Sequence, residues 1–493
     1  MRLKVFFQLL GPSVFFLMLL IGPPEGMSIP AFKVMAATLW IAIWWMTEAI
    51  PIAATSFLPL ILYPITNAVS LNEIAPSYAN PIIYIFVGGF ILALAMQKWN
   101  LHKRIALNII AITGTNMRQI ILGFILATAF LSMWISNTAT AVMMLPIALS
   151  IITQFKEFSD SSSIPVKGAD DFGKALILAI AYSASIGGIA TLVGTPTNLI
   201  FADAIEKFYK VPMPFDQWIG IGLPISLTIL VGCWYLLTYH LFSLSSIKVQ
   251  GSSNIIKNEL KKLGRMSYEE KWVLLIFSIV AFCWITRRFL ITPFFPSIND
   301  TIIVMIGAIV LFLIPAKKQE QGQIMDWETA VKLPWAVILL FGGAFAVAQS
   351  FESSQLTLWI GEKLSGLENV PFWLVLLIVV AVVNFLTEIT QNIATCTLMM
   401  PILAALSGVL NVHPYGLMAA AAIASSCAFM LPVATAPNAV VFGSGFLKMK
   451  DMVRAGFLLN VLSIIVVTLF IYFLLPAIWG IDLLNFPSEI KVK

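Results

Sequence analysis

The sequence predicts an all-α polytopic membrane protein with about 11 transmembrane helices and two re-entrant helical hairpins in an inverted repeat. The first observation is the composition, because 59% of the 493 residues are hydrophobic and only 11% are charged, whereas soluble domains carry about 25% charged residues. The second is that the apolar residues form continuous runs of about 17–25, the length that crosses a bilayer as a helix. The third is a set of polar motifs that recurs in the second half of the chain.

This composition excludes several classes of protein. A mean hydropathy of +0.94 is incompatible with a nucleic-acid-binding protein, a disulfide-stapled secreted domain or an ordinary soluble enzyme. The solid apolar runs also differ from the alternating strands of a β-barrel. The four cysteines form no CxxC pair and the three histidines are not spaced as metal ligands, so we expect no metal centre and no cofactor.

The apolar runs define the elements in chain order. Two of them, 119–153 and 371–407, are too long for one span, and each is predicted to form two short helices that enter and leave the membrane on the same side. The other runs supply the full spans. All the runs lie near 6–23, 30–46, 50–68, 79–98, 119–153, 174–203, 217–243, 272–290, 300–316, 333–350, 371–407, 415–445 and 455–480.

The basic residues predict the orientation of the chain. With the N-terminus in the cytoplasm, most of the 29 lysines and arginines fall on the cytoplasmic side. The first hairpin then enters from the cytoplasmic side and the second from the outer side, and the C-terminus lies outside. We therefore expect a multi-pass protein of the cytoplasmic (inner) membrane, whose net charge of +5 reflects its orientation and not an acidic partner.

The chain divides into five segments on this interpretation. In each half, scaffold helices precede a hairpin and an interrupted helix, and a polar stretch joins the halves. The segments are 1–118 (scaffold helices of the first half), 119–243 (first hairpin and broken helix), 244–271 (cytoplasmic connector), 272–370 (scaffold helices of the second half) and 371–493 (second hairpin and broken helix).

Three motifs occur twice in the same order and at a nearly constant offset. An odd number of predicted crossings separates the two copies, so the halves have opposite orientations, as in the inverted repeats of many secondary transporters. The paired motifs are Phe86–Gly89 with Phe341–Gly343, Ser136–Thr140 with Gln391–Thr395, and Gly194–Asn198 with Ala434–Asn438.

The polar motifs place helix breaks at membrane depth. Proline frees an upstream carbonyl, and irregular backbone persists inside a membrane only where it is buried in protein or lines a cavity. Freed carbonyl groups and asparagine oxygens suit Na⁺, while the exposed N–H groups of a helix N-terminus suit a carboxylate. Ser136, Asn137 and Thr138 are good N-cap types and are predicted to begin the second arm of the first hairpin. The alternative interpretation is that single motifs are ordinary kinks and polar contacts between helices.

Two carboxylates, Glu48 and Glu388, fall inside predicted spans. Intramembrane carboxylates are functional candidates by default. Neither has an acidic or histidine partner nearby in the sequence, so a structural hydrogen-bonding role is favoured over a proton relay. The hairpin tips and helix breaks contain no lysine or arginine, so we expect an anionic substrate to be held by neutral donors and helix dipoles.

The chain resembles the divalent anion:sodium symporter family, which includes bacterial dicarboxylate transporters and mammalian di- and tricarboxylate carriers. The resemblance covers nearly the whole chain and is most specific at Ser136–Thr138 and at the run Ser425–Asn438; Thr47–Pro51 and Asn100–Arg104 also match. It implies a homodimer in which the hairpins and broken helices form a mobile transport unit that moves against a scaffold, an elevator mechanism.

The resemblance also implies the site residues. Carboxylates of the substrate would contact the hairpin tips and the unwound segments. The residues implied for substrate are Ser136, Asn137, Thr138, Thr195, Pro196, Gln391, Asn392, Ile393, Thr435 and Pro437. Those implied for the first Na⁺ are Ser132, Ser136, Asn137 and Gly194, and those for the second Na⁺ are Thr387, Thr390, Asn392 and Ala434.

The second tip departs from the family pattern, since Gln391 and Ile393 stand where a serine and a threonine are usual. A hydrogen bond gained or lost there is worth about 0.5–3 kcal/mol and retunes affinity. The resemblance implies a carrier of C4/C5 dicarboxylates (succinate, malate, fumarate or 2-oxoglutarate), as an exchanger or a Na⁺ symporter. Because the longer side chain of Gln391 is expected to crowd the second cation site, we expect a slight preference for exchange. The alternatives are sulfate or citrate as substrate. An enzyme is disfavoured because no nucleophile, acid pair or metal cluster converges in the sequence.

Overall fold

The computed structural model describes residues 2–161, 169–242, 244, 252–317, 322–368 and 370–487. Within these ranges the chain is helical, and the one β-type pairing is an isolated bridge between Pro315 and Gln323. The beginning of the predicted connector, 245–251, and the end of the last predicted segment, 488–493, lie outside the described residues. Every predicted site residue lies inside them.

The helices follow the order of the apolar runs. Short π-helical segments extend α12 to Leu241 and α14 to Ile291, and another joins α23 to α24. The bounds are α1 (Arg2–Ile21), α2 (Ile29–Thr47), α3 (Ile52–Thr55), α4 (Leu58–Ile65), α5 (Leu71–Ile74), α6 (Pro81–Lys98), α7 (Leu101–Thr113), α8 (Met117–Ser132), α9 (Asn137–Ser161), α10 (Ala169–Ile189), α11 (Pro196–Tyr209), α12 (Phe215–Tyr235), α13 (Ser252–Leu263), α14 (Tyr268–Thr286), α15 (Asp300–Leu313), α16 (Trp327–Ala330), α17 (Trp335–Ser353), α18 (Leu356–Leu364), α19 (Phe372–Ile389), α20 (Asn392–Val409), α21 (Pro414–Ser425), α22 (Ala436–Phe442), α23 (Met449–Leu469) and α24 (Leu475–Trp479).

The prediction of an all-α multi-pass membrane protein is confirmed. In the described part of the chain, 11 helices are long and apolar enough to cross a bilayer. They are not the same set as the predicted full spans, because length and apolarity also select the hairpin arms Asn137–Lys156, Phe372–Ile389 and Asn392–Val409. Conversely, the predicted spans at Ile52–Ile65 and Asp300–Leu313 are shorter apolar helices.

Each predicted hairpin consists of two helices joined by a short turn. Residues 133–136 join α8 to α9, and residues 390–391 join α19 to α20. In the first turn the Ser136 hydroxyl accepts a hydrogen bond from the Ala139 N–H at 3.3 Å. This bond caps α9 in the way that the sequence predicts, because it satisfies one of the N–H groups that the first turn of a helix leaves unpaired.

Each predicted broken helix is also present. The gap between α10 and α11 covers 190–195, and the gap between α21 and α22 covers 426–435. All twelve residues of α21 are buried, and α10 is likewise enclosed by its neighbours. We call α8–α11 together with α19–α22 the hairpin unit. Its two halves are joined directly, since the hydroxyls of Thr197 and Ser426 lie 2.8 Å apart.

The glycine motif of each half is a packing motif of the scaffold. The rings of Phe86 in α6 and Phe341 in α17 meet edge to face with centroids 5.0 Å apart. A Cβ on Gly88 would lie 2.7 Å from Val304 in α15, and a Cβ on Gly342 would overlap Tyr78. The absence of a side chain therefore lets the scaffold helices approach closely at these two positions.

Short helices connect the scaffold to each hairpin and were not predicted separately. α7 precedes the first hairpin and α18 precedes the second. Each follows a residue in the left-handed region, Asn100 with φ 60° and Gln355 with φ 61°. This conformation costs a residue with a side chain on the order of 1 kcal/mol, yet it recurs at corresponding places in the two halves. The inverted repeat thus extends to the backbone of these connecting turns.

Candidate functional site

The two hairpin turns and the two helix gaps meet at one cavity of about 360 Å³. All ten residues that the family resemblance implies for substrate line it. The structure therefore brings together four segments that lie far apart in the chain. These ten residues are Ser136, Asn137, Thr138, Thr195, Pro196, Gln391, Asn392, Ile393, Thr435 and Pro437.

The cavity has a polar wall and an apolar wall. The polar groups come from the hairpin unit, whereas the scaffold contributes Phe86 and Phe90 of α6 together with Pro334 and Val337 near the start of α17. No lysine, arginine, histidine, aspartate or glutamate is among the described lining residues. An anion in this cavity would therefore be held by neutral donors, all of which belong to the hairpin unit.

Four helices begin at the cavity, and this supplies those donors. α9 begins at Asn137, α11 at Pro196, α20 at Asn392 and α22 at Ala436. The first N–H groups of a helix have no partner within the helix and carry a partial positive charge. Carboxylate oxygens accept hydrogen bonds from such groups. The lining hydroxyls and amides can donate as well, so the chemistry of the cavity suits a carboxylate at each hairpin turn.

A cluster of oxygen atoms lies beside the first hairpin turn. The Ser132 hydroxyl is 2.7 Å from the Asn137 carboxamide and donates to the Ala184 carbonyl at 2.6 Å. The same carboxamide atom of Asn137 is 3.2 Å from the carbonyl oxygens of both Ala184 and Gly194. When the amide nitrogen takes this place, it donates to the carbonyls. When the amide oxygen takes it, four oxygens converge, the arrangement by which unwound helices bind Na⁺.

A matching cluster lies beside the second hairpin turn. The Thr387 hydroxyl is 2.8 Å from Asn392 Oδ1 and 3.0 Å from the Ser425 carbonyl oxygen. Ala434 lies near the end of the helix gap and lines the cavity. The hydroxyl of Thr390 bonds instead to the Leu386 carbonyl at 2.8 Å and to the Thr395 hydroxyl. The Thr390 hydroxyl is therefore engaged outside this cluster. Only the main-chain oxygen of Thr390 remains to contribute to it.

Two asparagines hold the helix gaps in shape, and they were not among the predicted site residues. The Asn198 amide donates to the carbonyls of Gly188 and Ile189 at 3.2 Å and of Thr191 at 2.7 Å. The Asn438 amide donates to the carbonyls of Ala428 and Leu431 at 3.1 and 3.0 Å. The signal was present in the sequence, because each asparagine ends one copy of the third motif. Both therefore position the site without lining it.

Glu388 has the structural role that the sequence favours. Its side chain is buried, and its carboxylate accepts hydrogen bonds from the backbone N–H groups of Phe429 (2.7 Å), Met430 (2.9 Å) and Leu431 (3.1 Å) and from the Asn460 amide (2.7 Å). These N–H groups belong to the second helix gap. The carboxylate thus acts as an anchor for unwound backbone.

Glu48, the other intramembrane candidate, lies at the C-terminal end of α2 and is exposed. Its Oε1 accepts a hydrogen bond from Gln391 Nε2 at 3.3 Å. Glu48 thus contacts the second hairpin turn, at the glutamine that departs from the family pattern. The bond connects the scaffold with the hairpin unit beside the cavity.

Sequence reasoning missed the carbonyl groups of the clusters. Ala184 and Ser425 contribute main-chain oxygens near the ends of α10 and α21. A main-chain oxygen is present in every residue, so residue type gives no signal for it. Gly188 leaves room for the first cluster because it has no side chain. A Cβ there would lie 2.7 Å from Asn137 Oδ1.

Comparisons with known proteins find similar sequences over nearly the whole chain. The family model for the sodium:sulfate symporter transmembrane region matches residues 4–481. The sodium-dependent dicarboxylate transporter SdcS of Staphylococcus saprophyticus is 46% identical over 477 residues, which cover 96% of this chain and 92% of the relative. SdcS of Staphylococcus aureus strain USA300 is 43% identical over 486 residues, which cover 98% of this chain and 93% of the relative.

Two solved structures share the fold at low sequence identity. MtrF of Neisseria gonorrhoeae, described as illuminating a class of antimetabolite efflux pumps, has a TM-score of 0.56 at 12% identity and covers 91% of this chain and 96% of its own. The YdaH transporter of Alcanivorax borkumensis has a TM-score of 0.56 at 12% identity and covers 90% of this chain and 98% of its own. At this identity the likeness concerns the helical architecture alone.

Proposed function

Because this chain belongs to the sodium:sulfate symporter family, we propose that it carries C4 and C5 dicarboxylates such as succinate, malate, fumarate and 2-oxoglutarate across the cytoplasmic membrane. The proteins of this family and its curated relatives are transporters and not enzymes. The relatives at 43–46% identity are named as sodium-dependent dicarboxylate transporters. Their names and the site geometry both support the proposal.

The observation that carries the proposal is the pair of equivalent hairpin turns on one uncharged cavity. Each turn offers a helix N-terminus and neutral donors, so a molecule with a carboxylate at each end can be held at both turns at once. Sulfate is a single compact dianion and would leave one turn without a partner in a cavity of about 360 Å³. Citrate would bring a third carboxylate toward the scaffold wall, where Phe86 and Phe90 offer it no donor.

Na⁺ coupling is the form of transport that we propose. Both oxygen clusters keep the asparagine and hydroxyl that the resemblance implies, Asn137 with Ser132 and Asn392 with Thr387. A bound cation beside each hairpin turn would also offset the charge of the substrate carboxylates. The slight preference for exchange rested on Gln391, whose amide bonds to Glu48 and so is directed toward the scaffold. Exchange of one dicarboxylate for another is the second candidate.

We further propose an elevator mechanism in a homodimer, with the N-terminus inside and the C-terminus outside. The support for the mechanism is the division of the cavity, because the hairpin unit supplies every polar group and the scaffold supplies an apolar wall. A substrate bound in this way makes its directional contacts with one unit. It can therefore travel with that unit past a wall that holds it only by van der Waals contact.

Reconstitution in liposomes tests the proposal. Uptake of labelled succinate is measured with an inward Na⁺ gradient and an empty lumen, and separately with succinate inside and no Na⁺ gradient. The proposal predicts uptake in the first condition that collapses when K⁺ replaces Na⁺. Uptake in the second condition alone identifies an exchanger. Competition by sulfate and citrate completes the test, and sulfate uptake that excess succinate leaves unchanged would refute a dicarboxylate carrier.

A further inference from the structure

A second cavity, of about 510 Å³, lies between the hairpin unit and the connecting helix α18. The hairpin unit contributes Phe208 and Tyr209 at the end of α11 and Gly408 near the end of α20. The opposite wall comes from α18 and the residues just before it. The described lining residues of this cavity and of the substrate cavity do not overlap, so the two spaces are separate.

The lining of the second cavity includes aromatic and small side chains, which we call the floor. It also includes three glutamates, Glu352, Glu362 and Glu368, which we call the rim. Glu362 and Glu368 are exposed, and Glu352 Oε1 is 3.7 Å from the ammonium group of Lys210. No lysine or arginine is among the lining residues of the described chain. These carboxylates repel a dicarboxylate and attract a cation.

We propose that this cavity binds an amphipathic monocation, with an aromatic or alkyl body on the floor and an ammonium group at the rim. The volume lies in the range of small-molecule sites, which are concave and mostly apolar with few polar groups. Aromatic faces such as those of Phe208 and Tyr209 also attract an ammonium group. Charge complementarity thus selects an organic amine over both a neutral lipid tail and the transported anions.

The position of the cavity predicts that such a ligand affects transport. It would lie in contact with α18 on one side and with α11 and α20 on the other. If the hairpin unit moves against the scaffold, as proposed above, an occupant that contacts both holds them in one arrangement. The ligand therefore lowers the rate of transport without competing for the substrate cavity. This consequence rests on the proposed function, whereas the binding site itself does not.

Gly408 provides a variant that narrows the cavity. A Cβ at Gly408 meets no atom within 4 Å, so a larger side chain extends into open space. Gly408→Leu should therefore fold normally and reduce the space for a ligand. A Cβ at Gly366 also meets no atom within 4 Å, and this residue is exposed and does not line the cavity. Gly366→Leu is the matched control.

The binding test uses 4-phenylbutylamine and the carboxylate of similar shape, 4-phenylbutyrate, with the purified full-length protein in isothermal titration calorimetry, and excess succinate is present throughout to occupy the substrate cavity. The expected result is one amine site per chain and no binding of the carboxylate. The double variant Glu362→Gln with Glu368→Gln should weaken amine binding about fivefold, because exposed ion pairs are worth about 0.2–1 kcal/mol each. Gly408→Leu should weaken it, because the leucine takes part of the space, and Gly366→Leu should leave it unchanged.

The transport test compares succinate uptake in liposomes with and without the amine. The expected result is a lower maximal rate with an unchanged KM for succinate, and a smaller effect of the amine on Gly408→Leu. Equal binding of amine and carboxylate, or amine binding that Gly408→Leu leaves intact, overturns the site. Amine binding as expected in a protein that transports no succinate refutes the proposed function and leaves the site standing.

Discussion

The two helix gaps of the hairpin unit share a hydrogen-bonding plan and differ in their surroundings. Asn198 and Asn438 each donate to carbonyls at the beginning of their gap. Val193 in the first gap is 9% exposed and packs near Gly89 of the scaffold. Val433, at the corresponding place in the second gap, is 79% exposed. The repeat therefore determines the internal bonds of each gap, while the neighbouring helices determine how far it is enclosed.

The two gaps also differ in charge. The second gap is anchored by the buried carboxylate of Glu388, and the corresponding position in the first half is Met133, which contributes only a carbonyl to the Thr191 hydroxyl at 2.5 Å. A carboxylate can accept several N–H groups at once. The more exposed gap thus has the stronger anchor. The comparison indicates that an unwound segment is stable where either packing or a charged acceptor restrains it.

The largest expected effect tests what the halves share. Asn137→Ala and Asn392→Ala should each reduce Na⁺-driven succinate uptake to below about a tenth, because each asparagine lies in an oxygen cluster and begins a helix at the cavity. Uptake per correctly folded protein is the measurement. Asn108→Ala, at an exposed position on α7, is the control. Near-normal uptake by either variant would show that its half of the site is not used.

The next effect tests the difference in anchoring. Glu388→Gln places an NH₂ group among N–H donors and should lower the free energy of unfolding by about 3 kcal/mol. Met133→Leu, at the corresponding position, should change it by less than about 1.5 kcal/mol because the swap nearly conserves volume. Thermal unfolding of the purified variants measures both. Equal stability of the two variants would contradict the anchoring role.

A smaller effect ranks the two asparagines that hold the gaps. The two hydrogens of the Asn198 amide are shared among three carbonyls, one of them at 2.7 Å, whereas the Asn438 amide donates to two carbonyls at 3.1 and 3.0 Å. A buried hydrogen bond contributes about 1 kcal/mol, so Asn198→Ala should destabilise the protein more than Asn438→Ala by a fraction of that amount. Unfolding midpoints in a denaturant series provide the comparison. The reverse order would mean that enclosure of the first gap compensates for the lost bonds.

The smallest effect makes the second hairpin turn resemble the first. Gln391→Ser combined with Ile393→Thr restores hydroxyl groups at the second turn and removes the bond between Gln391 and Glu48. We expect the Na⁺ concentration for half-maximal uptake to fall severalfold, since one hydrogen bond of about 1 kcal/mol corresponds to about a fivefold change. A Na⁺ titration of succinate uptake measures it, with Glu48→Gln as the control for the lost contact. An unchanged Na⁺ response would show that Gln391 does not affect coupling.

Much of the candidate site was predictable because its signals are local. The apolar runs that are too long for one span gave the hairpins, and proline with asparagine in an apolar run gave the gaps. Asn198 and Asn438 belong to the third motif, but the sequence did not predict their role. Their partners are main-chain carbonyls, which residue type does not reveal. The short helices α7 and α18 were missed because α7 is too short to span a membrane and has basic residues in its first turn, and because α18 follows α17 after only two residues.

Residue patterns alone predicted the membrane class and the paired motifs of the inverted repeat, because hydropathy and side-chain chemistry can be recognised within a few residues of chain. The ten residues that line the cavity between the hairpin turns were implied by the family resemblance. Only the tertiary structure decided which carbonyls join Ser132 and Thr387, which N–H groups bind Glu388, and that an acidic second cavity lies beside α18. The physical reason is that main-chain groups are alike in every residue, so their roles depend on which distant segments the fold brings together.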